Sequence, residues 1–344
     1  MKVLHVLASN KFSGAENVVC QIMNMFANEA DIQMAYCSPD GPIADALKER
    51  GLSFISLTKL SKKELKKAVK AYAPDVIHAH DMRASYVVYR AVKKIPYISH
   101  IHNNAFDSRG FSLKSLAYLL AGRKAKHIFW VSESSLKGYA YHKKYAKKSS
   151  VLYNVIDVDA LYKKAELDEN TYDYDIAYIG RLTHPKNPQR LMQVLRLVKE
   201  KIPKVKMAVV GSGDLEEETK TLASEYNLLE NVRFFGFMQN PLKILKESKV
   251  MIMTSRWEGT PMCALEAMAL GVPIVSTPVD GLKDLIANEE NGYLCESNEA
   301  LAGSIIKIIK DKELQKRFST VQKEKSLQIN DVEKYKKEIE KAYT

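Results

Sequence analysis

Two glutamates eight residues apart, Glu258 and Glu266, sit in SRWEGTPMCALEAMALGVPIV (255–275), where almost every residue from Met262 to Leu270 is apolar or small. That pattern predicts a short helix buried on all sides, and a carboxylate within it needs a partner, because burying an unpaired charge is costly. Thr260 is the expected N-cap, Pro261 the first helical residue and Gly271 the residue just past the end. Glu258 then lies in the loop before the helix, and Glu266 about one turn inside it, too far along to cap. A carboxylate at Glu266 can accept two hydrogen bonds from a vicinal diol such as a ribose. Glu258 can do the same for a sugar or take part in bond exchange. Free N–H groups near Met262, Cys263 and Ala264 suit an anion.

Other loops offer complementary chemistry. In GRLTHPKN (180–187), Arg181 and Lys186 flank a turn containing Pro185. A forked guanidinium with a nearby ammonium makes a diphosphate clamp, the plainer reading being solvated surface charge. In ASNKFSGAENVV (8–19), Ser13 and Glu16 fit a capping box, whereas Gly14 would let a ligand approach the N–H groups of a helix start. VVGSGDLEEE (209–218) carries a G-x-G after a strand but no third glycine, and Asp214, Glu216, Glu217 and Glu218 would repel phosphate. Dinucleotide binding loses its main support there, leaving close approach to the backbone at Gly211 by a sugar or ribose. In YISHIH (97–102), His100 and His102 share one strand face, with His102 nearer the C-terminal edge and followed by Asn103 and Asn104. His78 and His80 in DVIHAHD repeat that geometry one strand earlier and read as architectural, with Asp81 a candidate cap. The strings DVD (157–159) and DYD (173–175) fall in a polar stretch outside the loops, so no metal is expected.

These loops need strands and helices to hold them. Short β-rich runs alternate with helical patterns throughout, predicting parallel sheets covered by helices. The runs begin at 2–8, 32–38, 52–57, 75–80, 97–102, 127–132 and 151–156; a second set occupies 174–182, 206–211, 232–237, 249–255, 272–277 and 292–296. The fold class is α/β, two doubly wound Rossmann-like units with ligands at the strand C-termini around one cleft. Residues 157–175 read as a linker and the tail from Asp311 as exposed helix.

At 344 residues, 46% hydrophobic and 27% charged, the chain suits two cores. No apolar run reaches the roughly 18–20 residues of a membrane span, and the start lacks a secretory signature, so a cytoplasmic location is expected. Cys20, Cys37, Cys263 and Cys295 form no CxxC pair and read as reduced core thiols. The +11 net charge is confined to one half: residues 1–160 hold 24 Lys and Arg against 13 Asp and Glu, and the remainder holds 28 of each. Solvated helix faces would account for any single basic run. Several runs in one domain favour an anionic partner, and a membrane surface fits better than nucleic acid, for which no motif is present.

The E-x7-E arrangement of Glu258 and Glu266, with GRLTHPKN, SGAE and VRFFGF in order before it, resembles retaining glycosyltransferases of the GT4 family with the GT-B fold. The resemblance implies domains at 1–157 (acceptor), 158–327 (nucleotide-sugar donor) and a helix at 328–344 returning to the first. By position it implies that Arg181 and Lys186 hold the donor diphosphate, that Glu266 binds ribose, and that Glu258 contacts the sugar beside Gly259, Thr260, Pro261 and Met262. Phe237 and Met238 would frame the base, Gly14 would line the phosphates, and His102 would stand near the reacting face of the sugar. It implies no cofactor and no metal, the leaving phosphate itself taking the acceptor's proton. It further implies a UDP-sugar donor, a saccharide or lipid-linked acceptor, and a place at the inner membrane face. NVID (154–157) departs from the family's Asn-Gly-Val-Asp. An epimerase, a phosphorylase or a non-catalytic nucleotide-sugar binder would use the same fold.

Overall fold

The computed structural model describes residues 1–102, 110 and 112–344, Asp280 by its backbone only. The chain divides into two compact units, 1–154 with 333–344, and 155–332. In unit 1 the elements run β1 (Lys2–Val6), α1 (Gly14–Met25), β2 (Gln33–Pro39), α2 (Ile43–Glu49), β3 (Phe54–Leu57), α3 (Lys62–Tyr72), β4 (Val76–His80), α4 (Asp81–Ala91), β5 (Tyr97–Ile101), α5 (Leu113–Lys124), β6 (His127–Trp130), α6 (Glu133–Gly138) and β7 (Ser149–Val151). Unit 2 follows with α7 (Val158–Glu166), β8 (Ile176–Ile179), α8 (Pro188–Lys201), β9 (Met207–Val210), α9 (Glu216–Glu225), β10 (Val232–Gly236), α10 (Leu242–Glu247), β11 (Val250–Met253), α11 (Met262–Leu270), β12 (Ile274–Ser276), α12 (Asp280–Lys283), β13 (Gly292–Leu294), α13 (Asn298–Lys310) and α14 (Lys312–Ile329). The last helix, α15 (Val332–Tyr343), packs in unit 1.

Both sheets are parallel. Their orders are β3-β2-β1-β4-β5-β6-β7 and β10-β9-β8-β11-β12-β13, each reversing direction beside its first strand, as doubly wound sheets do. The first sheet is covered on both faces: Leu4, Val6, Ile77 and Ala79 join one buried cluster, while Leu7, Val19 and Tyr36 join another. Strands buried on both sides lose the alternation of a half-exposed sheet and read as continuous apolar runs, which is why twelve of the thirteen were visible as runs; β7, Ser149–Val151, meets the run expected at 151–156 only at Val151.

Three other segments differ from the sequence reading. Residues 158–166, inside the supposed linker, form α7, whose N-cap Asp157 accepts from the Ala160 N–H and whose Leu161 and Ala165 are buried. The tail is not simply exposed: α14 buries Leu314 and Phe318, and α15 buries Tyr335, Ile339 and Tyr343. Both helices have one apolar stripe within a Lys- and Glu-rich sequence, a pattern that overall polarity conceals. Ser13 forms no capping box; its hydroxyl donates to the Glu16 carboxylate instead of accepting a backbone N–H.

The glycines of VVGSGD owe their identity to packing. A Cβ on Gly211, at φ +132°, would stand 2.1 Å from the Gly180 carbonyl oxygen, and one on Gly213 would meet the Leu182 oxygen at the same distance. The backbone that approaches here is the protein's own 180–182 segment, so the glycine at 211 requires no ligand to explain it. Gly211→Ala should therefore destabilise the protein by about 3 kcal/mol, strain and overpacking acting together. Gly14→Ala, where a Cβ meets nothing within 4 Å, should leave the denaturant midpoint nearly unchanged.

Candidate active site

In unit 2 the chemistry collects where β8 and β11 end. The Lys186 ammonium donates to Glu258 Oε1 at 2.5 Å, and the Ser255 hydroxyl donates to the same oxygen at 2.6 Å. Both partners of the ion pair are largely buried, the Glu258 side chain to 9% exposure and Lys186 to 17%. Burial alone would draw the lysine's pKa down, but the adjoining carboxylate outweighs it and the net shift is upward. The turn carrying Lys186 is fastened to the loop carrying Glu258. The Thr254 hydroxyl lies 3.1 Å from the Lys186 and Asn187 carbonyls, Arg256 N–H donates to Pro185 O at 2.8 Å, and the Arg256 guanidinium donates to Asn187 Oδ1 at 3.0 Å. Asn187 adopts the left-handed conformation, φ 54°, that lets the turn reverse into α8. Arg181 is exposed at the end of β8, its carbonyl held by the Tyr178 hydroxyl at 3.0 Å.

The N-cap of α11 is Pro261, one residue later than expected, and it offers no side-chain cap. Of the three N–H groups expected to be open, that of Ala264 donates to Pro261 O at 3.1 Å; those of Met262 and Cys263 have no backbone acceptor among the described residues. Gly259 is held by close packing, since a Cβ on Gly281 would overlap the Gly259 oxygen. Glu258 and Thr260 are buried, with Pro261 and Met262 beside them. Glu266 is half-buried and makes no hydrogen bond or ion pair among the described residues. Burial pushes its carboxyl above the usual range, against the opposing pull of the Lys164 charge. Beyond β10, which ends on Gly236 at φ +66°, Phe237 is exposed to 61% and Met238 packs partly into the core.

In unit 1 strand register assembles five histidines that lie far apart in sequence. His5 on β1 pairs with His78 on β4, and His80 with His100 on β5. Period-two alternation puts His78 and His80 on one face, and His100 and His102 likewise. His5 Nδ1 lies 3.0 Å from His80 Nε2, His80 Nδ1 lies 2.8 Å from His102 Nε2, and His78 Nδ1 meets the Tyr343 hydroxyl at 2.8 Å. His80, read as architectural, holds the ring of His102. Asp81, at φ 67°, accepts the His102 backbone N–H at 2.9 Å and so fixes the other end of that residue. Asn103 and Asn104 lie outside the described residues.

Burial lowers the pKa values of His5 and His102 to about 3 and holds those of the other three well below the ordinary histidine value, so the rings are neutral and each carries one N–H. His5 Nε2 also contacts the Met34 sulfur at 3.4 Å. A thioether only accepts, so His5 carries its proton on Nε2, His80 must donate from Nε2 to the bare His5 Nδ1, and His102 must donate from Nε2 to His80. This leaves His102 Nδ1 a bare acceptor, and that atom has no partner among the described residues. Nitrogen-detected NMR should find all three rings as Nε2–H tautomers. Met34→Leu should mix the tautomers, while an unchanged pattern would remove the methionine's role. His5–His78–His80 and His80–His100–His102 each gather ring nitrogens within 4.8 Å. The facing pairs at 3.0 and 2.8 Å stand at hydrogen-bond distance.

A pocket of about 190 Å³ opens beyond β1 and β4, lined by Ser9, Glu16, His80, Asp81, Arg83 and Lys114. The larger cavity of unit 2, about 790 Å³ around Tyr172, Lys206, Asn231 and Phe235, lies at the opposite, N-terminal ends of its strands.

The paired Lys186 and Glu258, with Ser255, Asn187 and Arg256 around them, escaped sequence reasoning because 72 residues separate the partners. The comparisons with known proteins bear on the same segments. Residues 159–325 match the family model described as glycosyl transferases group 1, and residues 12–160 match that of glycosyltransferase family 4. The chain is 26% identical over 347 residues, covering 91% of itself and 89% of the relative, to an Escherichia coli UDP-Gal:alpha-D-GlcNAc-diphosphoundecaprenol alpha-1,3-galactosyltransferase. It is 23% identical to the Staphylococcus aureus capsular polysaccharide biosynthesis glycosyltransferase CapH, covering 81% and 82% of the two chains. Its fold matches the crystal structure of Anabaena HepE in complex with UDP-glucose with a TM-score of 0.86 at 21% identity, covering 99% and 98% of the two chains. Two parallel doubly wound sheets and two adjoining family matches spanning residues 12–325 agree: the chain belongs to the GT4-type glycosyltransferases with the GT-B fold.

Proposed function

We propose that this glycosyltransferase moves a hexosyl or N-acetylhexosaminyl group from a UDP-sugar to a lipid-linked saccharide, with retention of anomeric configuration, in the synthesis of a cell-surface glycan. The observation that carries the reading is the partnerless, half-buried carboxylate of Glu266 on α11. Ribose hydroxyls are donors that would satisfy it. Arg181, Lys186 and the N–H groups of Met262 and Cys263 then meet the diphosphate, and fixed cations and dipoles there stabilise the charge that grows on the leaving group. That supply of positive charge accounts for a reaction without a metal. Glu258, held by Lys186 and Ser255, keeps one oxygen to accept from the sugar, and the bare Nδ1 of His102 accepts from another hydroxyl. Gly14, with open space where its side chain would be, admits the phosphates, and Phe237, Met238, Gly259, Thr260 and Pro261 border the nucleotide.

The acceptor reading draws support from relatives whose names specify diphosphoundecaprenol substrates, in Escherichia coli and Campylobacter jejuni. Among the described residues no helix is long and apolar enough to cross a membrane, so such an acceptor would be met by peripheral association at the inner face of the membrane. The test is to incubate the protein with UDP-sugars and lipid-diphosphate saccharides, follow release of UDP, and determine the anomeric configuration of the product. Release of UDP with an α-linked product from an α-donor supports the reading. Loss of the nucleotide sugar without an acceptor would point to epimerisation, and absence of both would overturn it.

A further inference from the structure

Helix α5 is built inside out. Its buried face carries Ser115, Tyr118, Ala121 and Gly122, small or hydroxylated residues whose polar atoms are paired: Ser115 with Ser112, and the Tyr118 hydroxyl with Ser99 at 2.8 Å. Its outer face carries Leu113, Leu116 and Leu120, exposed to 88%, 46% and 50%. The spacing i, i+3, i+7 aligns them in one stripe. A helix on a water-facing surface places polar residues there; this one does the reverse, although polar residues were available for the purpose.

The charges beside the stripe share one sign. From Leu113 to Lys124 the helix has Lys114, Arg123 and Lys124 and no acid. The basic 3-10 segment His142–Lys148 is fastened to the same helix: the buried Tyr145 donates to Leu119 O, and the Lys148 ammonium donates to Arg123 O and Ala125 O, both at 2.8 Å. Glycine at 122 makes that contact possible, since a Cβ there would come within 2.8 Å of the Tyr145 ring. Lys143, Lys144 and Lys147 remain exposed on that segment. Among the described residues of these two segments the apolar stripe is accompanied by cations alone, the pattern of a segment lying in the headgroup layer of a bilayer. A second protein copy of the same sign would repel it.

We propose that the outer face of α5, through Leu113, Leu116 and Leu120 together with Lys143, Lys144 and Lys147 of the segment fastened to that helix, is the surface by which unit 1 seats on an anionic lipid bilayer. The proposal refines the membrane-acceptor reading. Lys114, one residue into this helix, lines the pocket beyond β1 and β4 together with Arg83, Glu16 and Asp81, so seating the leucines brings that opening toward headgroup depth, where the diphosphate of a lipid-linked saccharide lies.

The experiment compares the full chain and the variant Leu113→Ser/Leu116→Ser/Leu120→Ser on vesicles of equal parts phosphatidylglycerol and phosphatidylcholine, and on phosphatidylcholine alone. The unaltered chain should cosediment with the anionic vesicles and detach in high salt, and the triple variant should bind roughly a hundredfold more weakly. Each of Lys143, Lys144 and Lys147 changed to Ser should weaken low-salt binding by roughly fivefold. A tryptophan introduced by Leu116→Trp should shift its emission to the blue on the vesicles and be quenched by brominated lipid tails. Circular dichroism checks that the variants fold. UDP release with a water-soluble acceptor should be unchanged in the triple variant, which separates loss of seating from failure of the enzymatic reading. No vesicle binding by the unaltered chain, equal binding by the triple variant, or a solution dimer that the leucine changes dissolve would each overturn the proposal.

Discussion

Lys186→Met should lower turnover by two to three orders of magnitude and, separately, weaken the fold. The stability loss follows from what the substitution leaves behind. Glu258 keeps its carboxylate in a buried site with the Ser255 hydroxyl as its one remaining partner among the described residues, and removing one member of a buried ion pair costs about 3–5 kcal/mol. The surviving hydroxyl contact places the expected loss at the low end. The double variant Lys186→Met/Glu258→Gln should regain most of that stability, since no uncompensated charge remains, yet recover none of the turnover. The catalytic effect has the scale of deleting one fixed electrostatic contact to a leaving group. Chemical denaturation and steady-state kinetics on the three variants measure the two effects independently. If the double variant regains activity, the lysine is structural. The lysine should also be indifferent to pH in the neutral range. A lysine with a raised folded pKa stabilises fully below the ordinary lysine value and loses that contribution only as pH rises through the raised one, so a limb in the rate profile between pH 6 and about 8 belongs to another group.

Glu266→Gln should produce opposite changes in the free and liganded protein. A carboxyl whose folded pKa is raised by burial stabilises the fold when protonated, and that contribution is lost as pH rises through the folded value. At neutral pH the ionised form is thus a burden on the free protein, and the neutral amide removes it: the melting temperature without nucleotide should rise. The amide presents only one acceptor oxygen and no charge. Hydrogen bonds to a charged acceptor contribute about 1.5–3 kcal/mol, so nucleotide affinity should fall by about 10- to 100-fold. Thermal shift with and without UDP reads both effects, because a ligand that binds only the native state raises apparent stability with its affinity. A melting temperature that falls without nucleotide would mean that Glu266 is held by the fold and is not waiting for a ligand.

The parts of this architecture that were legible in the sequence are those written in local periodicity. Twelve of the thirteen strands coincide with an apolar run, β7 falling ahead of its own, and the tandem α/β arrangement follows from their alternation with helices. Glu258 and Glu266 were visible because a carboxylate in MCALEAMAL contradicts its surroundings. The pairing of Glu258 with Lys186 was not visible, because nothing local to GRLTHPKN records which of several nearby acids its lysine reaches. The histidine column has the same origin: HV, HAH and HIH are unremarkable strand ends until parallel register sets His5 beside His78 and His80 beside His100. Helix α7 was hidden because Leu161 and Ala165 are too few to mark a stripe among its charges. Pairings set by register and crossovers exist only once the sheet is ordered, so they are a property of topology and not of any one segment.

The placement of α15 sets an order of events during synthesis. Unit 1 is interrupted: its sheet is made from residues 1–154, but Tyr343, whose hydroxyl meets His78 and whose ring packs beside Phe26, emerges only after all 178 residues from 155 to 332. Domains fold as units as they leave the ribosome, so unit 2 can complete its fold while unit 1 still has an open seam over His78. The first half to be translated is the second to close.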